Sequence, residues 1–208
     1  MKNLFLAALC LFFAAAYGQE TSSQFDGHKW EAPYLFPIPK DWTIERFLLP
    51  PFFAPQILYK GVEDIRFAPG WGDSKSEEYW SYAFLWYLDD KPLLTKTSLE
   101  SDLKAYYTGL IKINSDSSKH ANEKPIPVIT EFELAKSYGS ELASFTGTIQ
   151  MLDFIARKPI TLHCIMHSIS CTETGKTILF FELSPKPFTH GIWKSLDQLW
   201  QDFKCKKS

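Results

Sequence analysis

Residues 79–90 read YWSYAFLWYLDD, six aromatic side chains between Tyr79 and Tyr87 followed by two aspartates. No other stretch limits the fold as strongly. In an extended chain successive side chains point to opposite faces, so Trp80, Tyr82, Phe84, Trp86 and Leu88 share one side. Tyr79, Ser81, Ala83, Leu85 and Tyr87 share the other. Both sides are apolar, and such a strand needs a covering layer on each face. The chain must therefore build a sheet packed above and below, with this strand at its centre. Asp89-Asp90-Lys91-Pro92 then reads as a turn, since Asp and Pro are turn formers.

The first eighteen residues carry Lys2, an apolar run from Leu4 to Tyr17, and the small residues Ala16 and Gly18 near their end. That is the layout of a secretory leader cleaved before Gln19, and the run is short for a membrane span. Cys10 sits inside the run and follows Leu9, which argues against a lipid anchor. The expected location is secreted or periplasmic. The Phe-rich leader entering Gln-Glu resembles those of exported Gram-negative bacterial proteins. The remaining chain suits one domain. Formal charge is −2 with both signs scattered along the sequence, so no basic field exists to hold a phosphate backbone and nucleic acid is not an expected partner. No second apolar run reaches spanning length, and no transmembrane segment is expected after the leader.

Residues 19–29 form a polar arm, and a single domain is expected over 30–208. Six prolines between Pro33 and Pro55 exclude helix over most of that stretch and leave Trp42–Leu49 as a strand. Val62–Pro69 alternates Ile65 and Phe67 against Asp64 and Arg66, a second strand. In TSLESDLKAYYTGLIKIN, Leu99, Leu103, Tyr106 and Leu110 recur at helical spacing, with Thr97 or Ser98 as cap and acids in the first turn. The polar residues 114–125 are the best candidate for a mobile loop. Val128–Ala135, Glu141–Leu152 and Ile160–Ser170 read as successive strands, and TETGK turns the chain into Thr177–Leu183. Ile192, Leu196, Leu199, Trp200 and Phe203 make one apolar stripe of a closing helix.

The sum is an α+β domain: a mainly antiparallel sheet flanked by two principal helices. This order of elements, ending in the terminal helix, resembles the PsbP-like family of exported proteins. The resemblance implies a central antiparallel sheet between helices. It covers architecture alone, and no photosystem role is implied.

Cys164, Cys171 and Cys205 follow the leader, and an exported chain meets an oxidising compartment. From the TETGK turn the last strand runs away for roughly 23 Å, and the closing helix returns roughly 21 Å. Cys205 should land beside Cys171, whereas Cys164 lies roughly 23 Å back along its strand. A Cys171–Cys205 disulfide is expected, contributing about 3–4 kcal/mol on the chain-entropy account.

Signatures of chemistry are sparse. In HCIMH, His163 and His167 share a face about 13 Å apart while Cys164 and Met166 point the other way, so one metal cannot collect all four and no metal site is expected. His120 and His190 have no ligand spacing around them. Glycine-framed serine, His-Glu-x-x-His and phosphate-loop patterns are missing, and apolar Leu162 and Met166 beside Cys164 argue for a buried thiol. Among Glu63, Asp64, Asp89, Asp90 and Asp153, a carboxylate pair of the glycosidase kind is conceivable, although Asp89 and Asp90 face opposite ways. Asp64 and Arg66 are expected to pair at the surface or a rim, and Arg66, beside the PGWG loop, is the place to look for an anionic group.

Aromatics make up 16% of the chain, and surplus Trp and Tyr in an exported protein form stacking or apolar-ligand surfaces. The function expected is a non-catalytic binding domain with an aromatic-lined cleft. Arg66, Trp71, Tyr79 and Tyr87 would line it, the ligand would be a small molecule, and no cofactor is expected. The alternative is an accessory envelope protein that docks a protein partner. An enzyme with a carboxylate site ranks third.

Overall fold

A computed structural model describes residues 25–115 and 126–206. The leader expected over 1–18, residues 19–24, His120 and most of the polar loop read over 114–125 lie outside the described residues.

The fold is α+β and dominated by sheet. Its elements are β1 (Tyr34–Leu35), β2 (Thr43–Leu49), β3 (Gly61–Phe67), β4 (Tyr82–Leu88), α1 (Lys96–Asn114), β5 (Ile129–Ala135), β6 (Ala143–Asp153), β7 (Lys158–Cys171), β8 (Lys176–Ser184), α2 (Ile192–Asp202) and β9 (Lys204–Cys205). Seven strands form one antiparallel sheet in the order β2-β3-β4-β8-β7-β6-β5, and β1 pairs with β9 in a separate ribbon. The aromatic strand β4 lies between β3 and β8, and all seven of its residues are buried.

The two faces of β4 enter two different cores. Tyr82, Phe84, Trp86 and Leu88 pack under α1 with Leu99, Leu103, Tyr106 and Tyr107. Ala83, Leu85 and Tyr87 pack with Ile192, Trp193, Leu196 and Leu199 of α2, and with Tyr34, Phe36 and Phe203. The result is helix on sheet on helix, the arrangement that a strand apolar on both faces requires.

Several boundaries move. The aromatic strand starts at Tyr82: Tyr79 and Trp80 belong to the preceding turn, and Trp80 sits at φ 53°. This left-handed conformation reverses the alternation, so Tyr79 joins the α1-side core and does not share the Tyr87 face. Thr95 caps α1 in place of Thr97 or Ser98. Its hydroxyl accepts the Ser98 N–H at 3.1 Å, the Ser98 hydroxyl accepts the Thr95 N–H at 2.9 Å, and no acid occupies the first turn. The reciprocal pair is a capping box with Ser in the position usually held by Glu.

The closing helix stops at Asp202, and the chain then runs extended so that Lys204–Cys205 pairs with Tyr34–Leu35. Cys171 and Cys205 are joined by a disulfide, with Cα atoms 5.6 Å apart. It closes the α2 layer against the end of β7, and an oxidising compartment suits it. No helix among the described residues is long and apolar enough to cross a membrane.

Candidate functional site

The four aromatic-cleft residues expected from sequence do not converge. Asp64 and Arg66 are fully buried, not at a rim. Arg66 donates through Nε to the Pro37 carbonyl and through Nη2 to the Phe36 carbonyl, each at 2.9 Å, and its Nη1 donates to Asp64 Oδ1. Arg46 ion-pairs with the same carboxylate at 3.0 Å, the Tyr34 hydroxyl donates to Asp64 Oδ2 at 3.1 Å, and the guanidinium lies 4.0 Å from the Phe36 ring centre. Nε and Nη2 of Arg66 thus clamp Phe36 and Pro37 onto the α2 face, while Nη1 is held within β3 by Asp64 and the Ile65 carbonyl. Tyr87 is buried on that face against Tyr34, ring centres 5.3 Å apart. Trp71 lies on the opposite, α1 side.

Tyr79 is also anchored. Its hydroxyl donates to Asp153 Oδ2 at 2.7 Å, and Trp80 Nε1 donates to Asp153 Oδ1 at 3.1 Å. The same Oδ1 accepts the Ile155 and Ala156 N–H groups at 2.9 and 3.0 Å. Asp153 thus ties the turn after β6 to the turn before β4, and the pair of turns fixes the Trp80 ring in its left-handed backbone setting. Such a conformation costs an L-residue roughly 1–2 kcal/mol, and the Trp80–Trp71 backbone bond at 3.0 Å helps hold it.

These turns build one wall of an aromatic cavity of about 550 Å³ on the α1 face. Trp71, Trp80, Tyr82 and Phe67 form the wall on the sheet side, and Tyr106 and Leu110 form the helix side. The volume falls within the roughly 300–1,000 Å³ of small-molecule sites. Phe52, Ile113 and Ile155 stand around it with exposures of 83%, 47% and 36%. The loop carrying Phe52 and Phe53 comes close because Gly109 of α1 has no side chain: a Cβ there would meet the Phe53 carbonyl oxygen.

The polar groups of the wall are mostly committed. Tyr82 and Tyr107 share a hydroxyl–hydroxyl bond of 2.5 Å, and the Tyr106 hydroxyl donates to Glu63 Oε1 at 2.6 Å. Glu63 Oε2 accepts from Trp86 Nε1 at 3.0 Å. Burial pushes the Glu63 carboxyl up to about 8 despite these two donors, so it is mostly neutral at pH 7. Trp71 Nε1 is buried without a hydrogen-bond partner among the described residues.

The acids weighed as a catalytic pair sit in separate networks: Glu63 under α1, Asp64 on the α2 face, Asp153 in its turn, and Asp89 in an exposed 2.8 Å ion pair with Lys176. Cys164 and Met166 are buried in the α1-side core, and burial pushes the Cys164 thiol well up. His167 lies on the other face between Glu141 Oε1 at 2.9 Å and Glu182 Oε1 at 3.3 Å, stacked 4.4 Å from Trp200. No group of three or more His, Cys, Asp and Glu placed to hold a metal occurs among the described residues.

The sequence reading missed Phe47, Phe53, Phe67 and Ile113 as cavity residues. A signal existed in α1, whose stripe from Leu99 to Leu110 continues to Ile113 at the next i+3 position, past what the sheet covers.

Fold and site together define a class: an α+β domain that holds an aromatic cavity between one face of an antiparallel sheet and a helix. Comparison with known proteins adds nothing more specific: no protein-family model, curated protein or solved structure matches the chain.

Proposed function

We propose that the protein is an exported, non-catalytic binding domain whose aromatic cavity takes a small apolar molecule. The observation carrying this reading is the cavity itself. Protein interiors fill their space to near-crystalline density, so a cavity of about 550 Å³ walled mainly by aromatic side chains has the size and lining of a small-molecule site. A secreted or periplasmic location is supported by the leader pattern and by the disulfide. Kinship with the PsbP-like proteins is likewise a proposal, supported by the order of elements.

Titration with N-phenyl-1-naphthylamine tests the function. Saturable fluorescence enhancement and a raised melting temperature are expected for the wild type. Leu110→Trp, which fills the cavity, should abolish both. Enhancement that survives Leu110→Trp would show that the dye binds elsewhere.

A second reading, docking of an envelope protein, is supported by Leu134, Tyr138 and Leu142, which are 73%, 65% and 63% exposed near the end of β5. Co-purification of one envelope protein, lost on changing Leu134 and Leu142 to Ser, would favour it.

A further inference from the structure

Away from the cavity, one imidazole ties a loop and a helix to the sheet. His167 of β7 places Nδ1 2.9 Å from Glu141 Oε1 and Nε2 3.3 Å from Glu182 Oε1. Its ring stacks on Trp200 of α2, with centres 4.4 Å apart and planes 6° from parallel. Glu141 belongs to the loop between β5 and β6, where its Oε2 also accepts the Tyr138 N–H at 2.7 Å and the Ser144 hydroxyl at 2.5 Å. Three elements therefore meet on His167: that loop, β8 and the end of α2.

The contacts fix a proton count. A neutral imidazole donates from one ring nitrogen only. With Nδ1–H given to Glu141, Nε2 would turn a lone pair toward the Glu182 carboxylate. Glu182 is 1% exposed, and among the described residues neither of its oxygens accepts a hydrogen bond. Ionised and opposite a lone pair, it would be a buried charge without compensation, which is costly. One further proton removes the conflict, whether it rides on Nε2 or on the carboxyl, because two groups this close titrate as a pair. Burial raises the Glu182 carboxyl, His167 opposes the rise, and Asp197 of α2 adds to it. Burial also acts on Glu141, but Ser144, the Tyr138 N–H and His167 outweigh it and hold that carboxyl low. The groups around the ring are thus Glu141 from the loop, Glu182 from β8, and Asp197 and Trp200 from α2, while β6 contributes the uncharged Ser144.

We propose that the proton shared by His167 and Glu182 is a latch on the α2 face. While it is held, it pins both walls of a cleft of about 560 Å³, Tyr138–Glu141 on one side and Trp200 on the other. Its loss as pH rises parts the ring from Glu182 and frees both walls. The loop carries Tyr138 and Leu142 of the exposed apolar patch, so the patch changes shape with pH. The latch is independent of the α1-side cavity and of any guest there.

The test follows wild type and Glu182→Gln by NMR from pH 5 to pH 9. In wild type, the His167 ring-nitrogen and Glu182 carboxyl shifts should report the loss of one proton. From the same midpoint, hydrogen-exchange protection of the Tyr138 and Phe203 N–H groups, corrected for the intrinsic rate at each pH, should fall by up to about tenfold per pH unit. The fall should exceed any in α1, on the opposite face. Glu182→Gln offers Nε2 an amide N–H without a charge, so a neutral ring keeps both contacts. Protection in that variant should stay within about twofold across the range. Unchanged ring and carboxyl shifts in wild type, a proton lost without a change in protection, or the same fall in Glu182→Gln would each overturn the latch. Should Glu182→Gln fail to fold, as judged by circular dichroism, coincidence of the two wild-type midpoints still decides.

Discussion

Replacing Glu63 by glutamine should remove a pH dependence that the α1-side core imposes on the whole domain. Glu63 is fully buried between α1 and the sheet, with Tyr106 and Trp86 as its donors. Burial, outweighing those bonds, lifts its carboxyl from 4.5 to about 8. Below pH 4.5 the folded and unfolded chains both hold the proton. Between 4.5 and 8 the unfolded chain releases it first, so the unfolded state binds fewer protons and stability falls as pH rises. Above 8 both are ionised and the loss is complete. At about 1.4 kcal/mol per pH unit of displacement, the loss is on the order of 5 kcal/mol. With about 2–4 °C per kcal/mol for a domain of this size, the melting temperature should drop on the order of 10 °C between pH 5 and pH 9. Glutamine keeps an oxygen that can accept a hydrogen bond and cannot ionise. Glu63→Gln should therefore melt close to wild type at pH 5, within about 1 kcal/mol, and clearly above it at pH 9. Calorimetry on both proteins at half-unit steps reads this directly. Parallel curves would refute the argument, because the falling stability would then belong to other groups.

Other perturbations separate scaffold from site. Arg66→Ala strands the buried Asp64 carboxylate with Arg46 as its remaining cation, and should cost about 3–5 kcal/mol in urea unfolding. Dye affinity per folded molecule should stay within twofold, since Arg66 and the cavity lie on opposite faces. Reducing the Cys171–Cys205 bond should lower stability by about 3–4 kcal/mol, with hydrogen exchange rising first in β9 and α2, whereas α1 keeps its protection. Gly109→Ala would gain about 1 kcal/mol if helix propensity alone mattered. Because a Cβ there meets the Phe53 carbonyl, we expect a lower melting temperature and weaker dye binding, both read in one thermal-shift titration.

The sheet and its layers were legible because β4 is apolar on both faces and the later strands are bounded by turns. The disulfide was legible because strand and helix rises return Cys205 to the TETGK end. The site was less so. Trp71 belongs to the cavity, but the sequence groups Tyr79 and Tyr87 on one face only if alternation is unbroken through Tyr79–Leu88, and it brings in Arg66 only by closeness to the PGWG loop. The left-handed Trp80 breaks that alternation, and nothing in a Tyr-Trp pair signals a positive φ. Arg66 looked exposed because charged residues on a strand mark a solvent face. Here a proline-spaced segment, Tyr34–Pro37, lies over that face and offers its carbonyl oxygens to the guanidinium. That long-range contact has no periodicity to read. The remaining cavity residues come from the 50–57 loop and the far end of α1, brought together by topology.

The claim that the α1-side cavity binds a ligand is tested most directly by nuclear Overhauser contacts from bound 1-acetylpyrene to protein ring protons. The cavity reading predicts contacts to Trp71, Trp80 and Tyr106, with none to Trp193 or Trp200 on the α2 face. Contacts confined to the α2 face, or a saturated complex with none to Trp71 and Trp80, would contradict it.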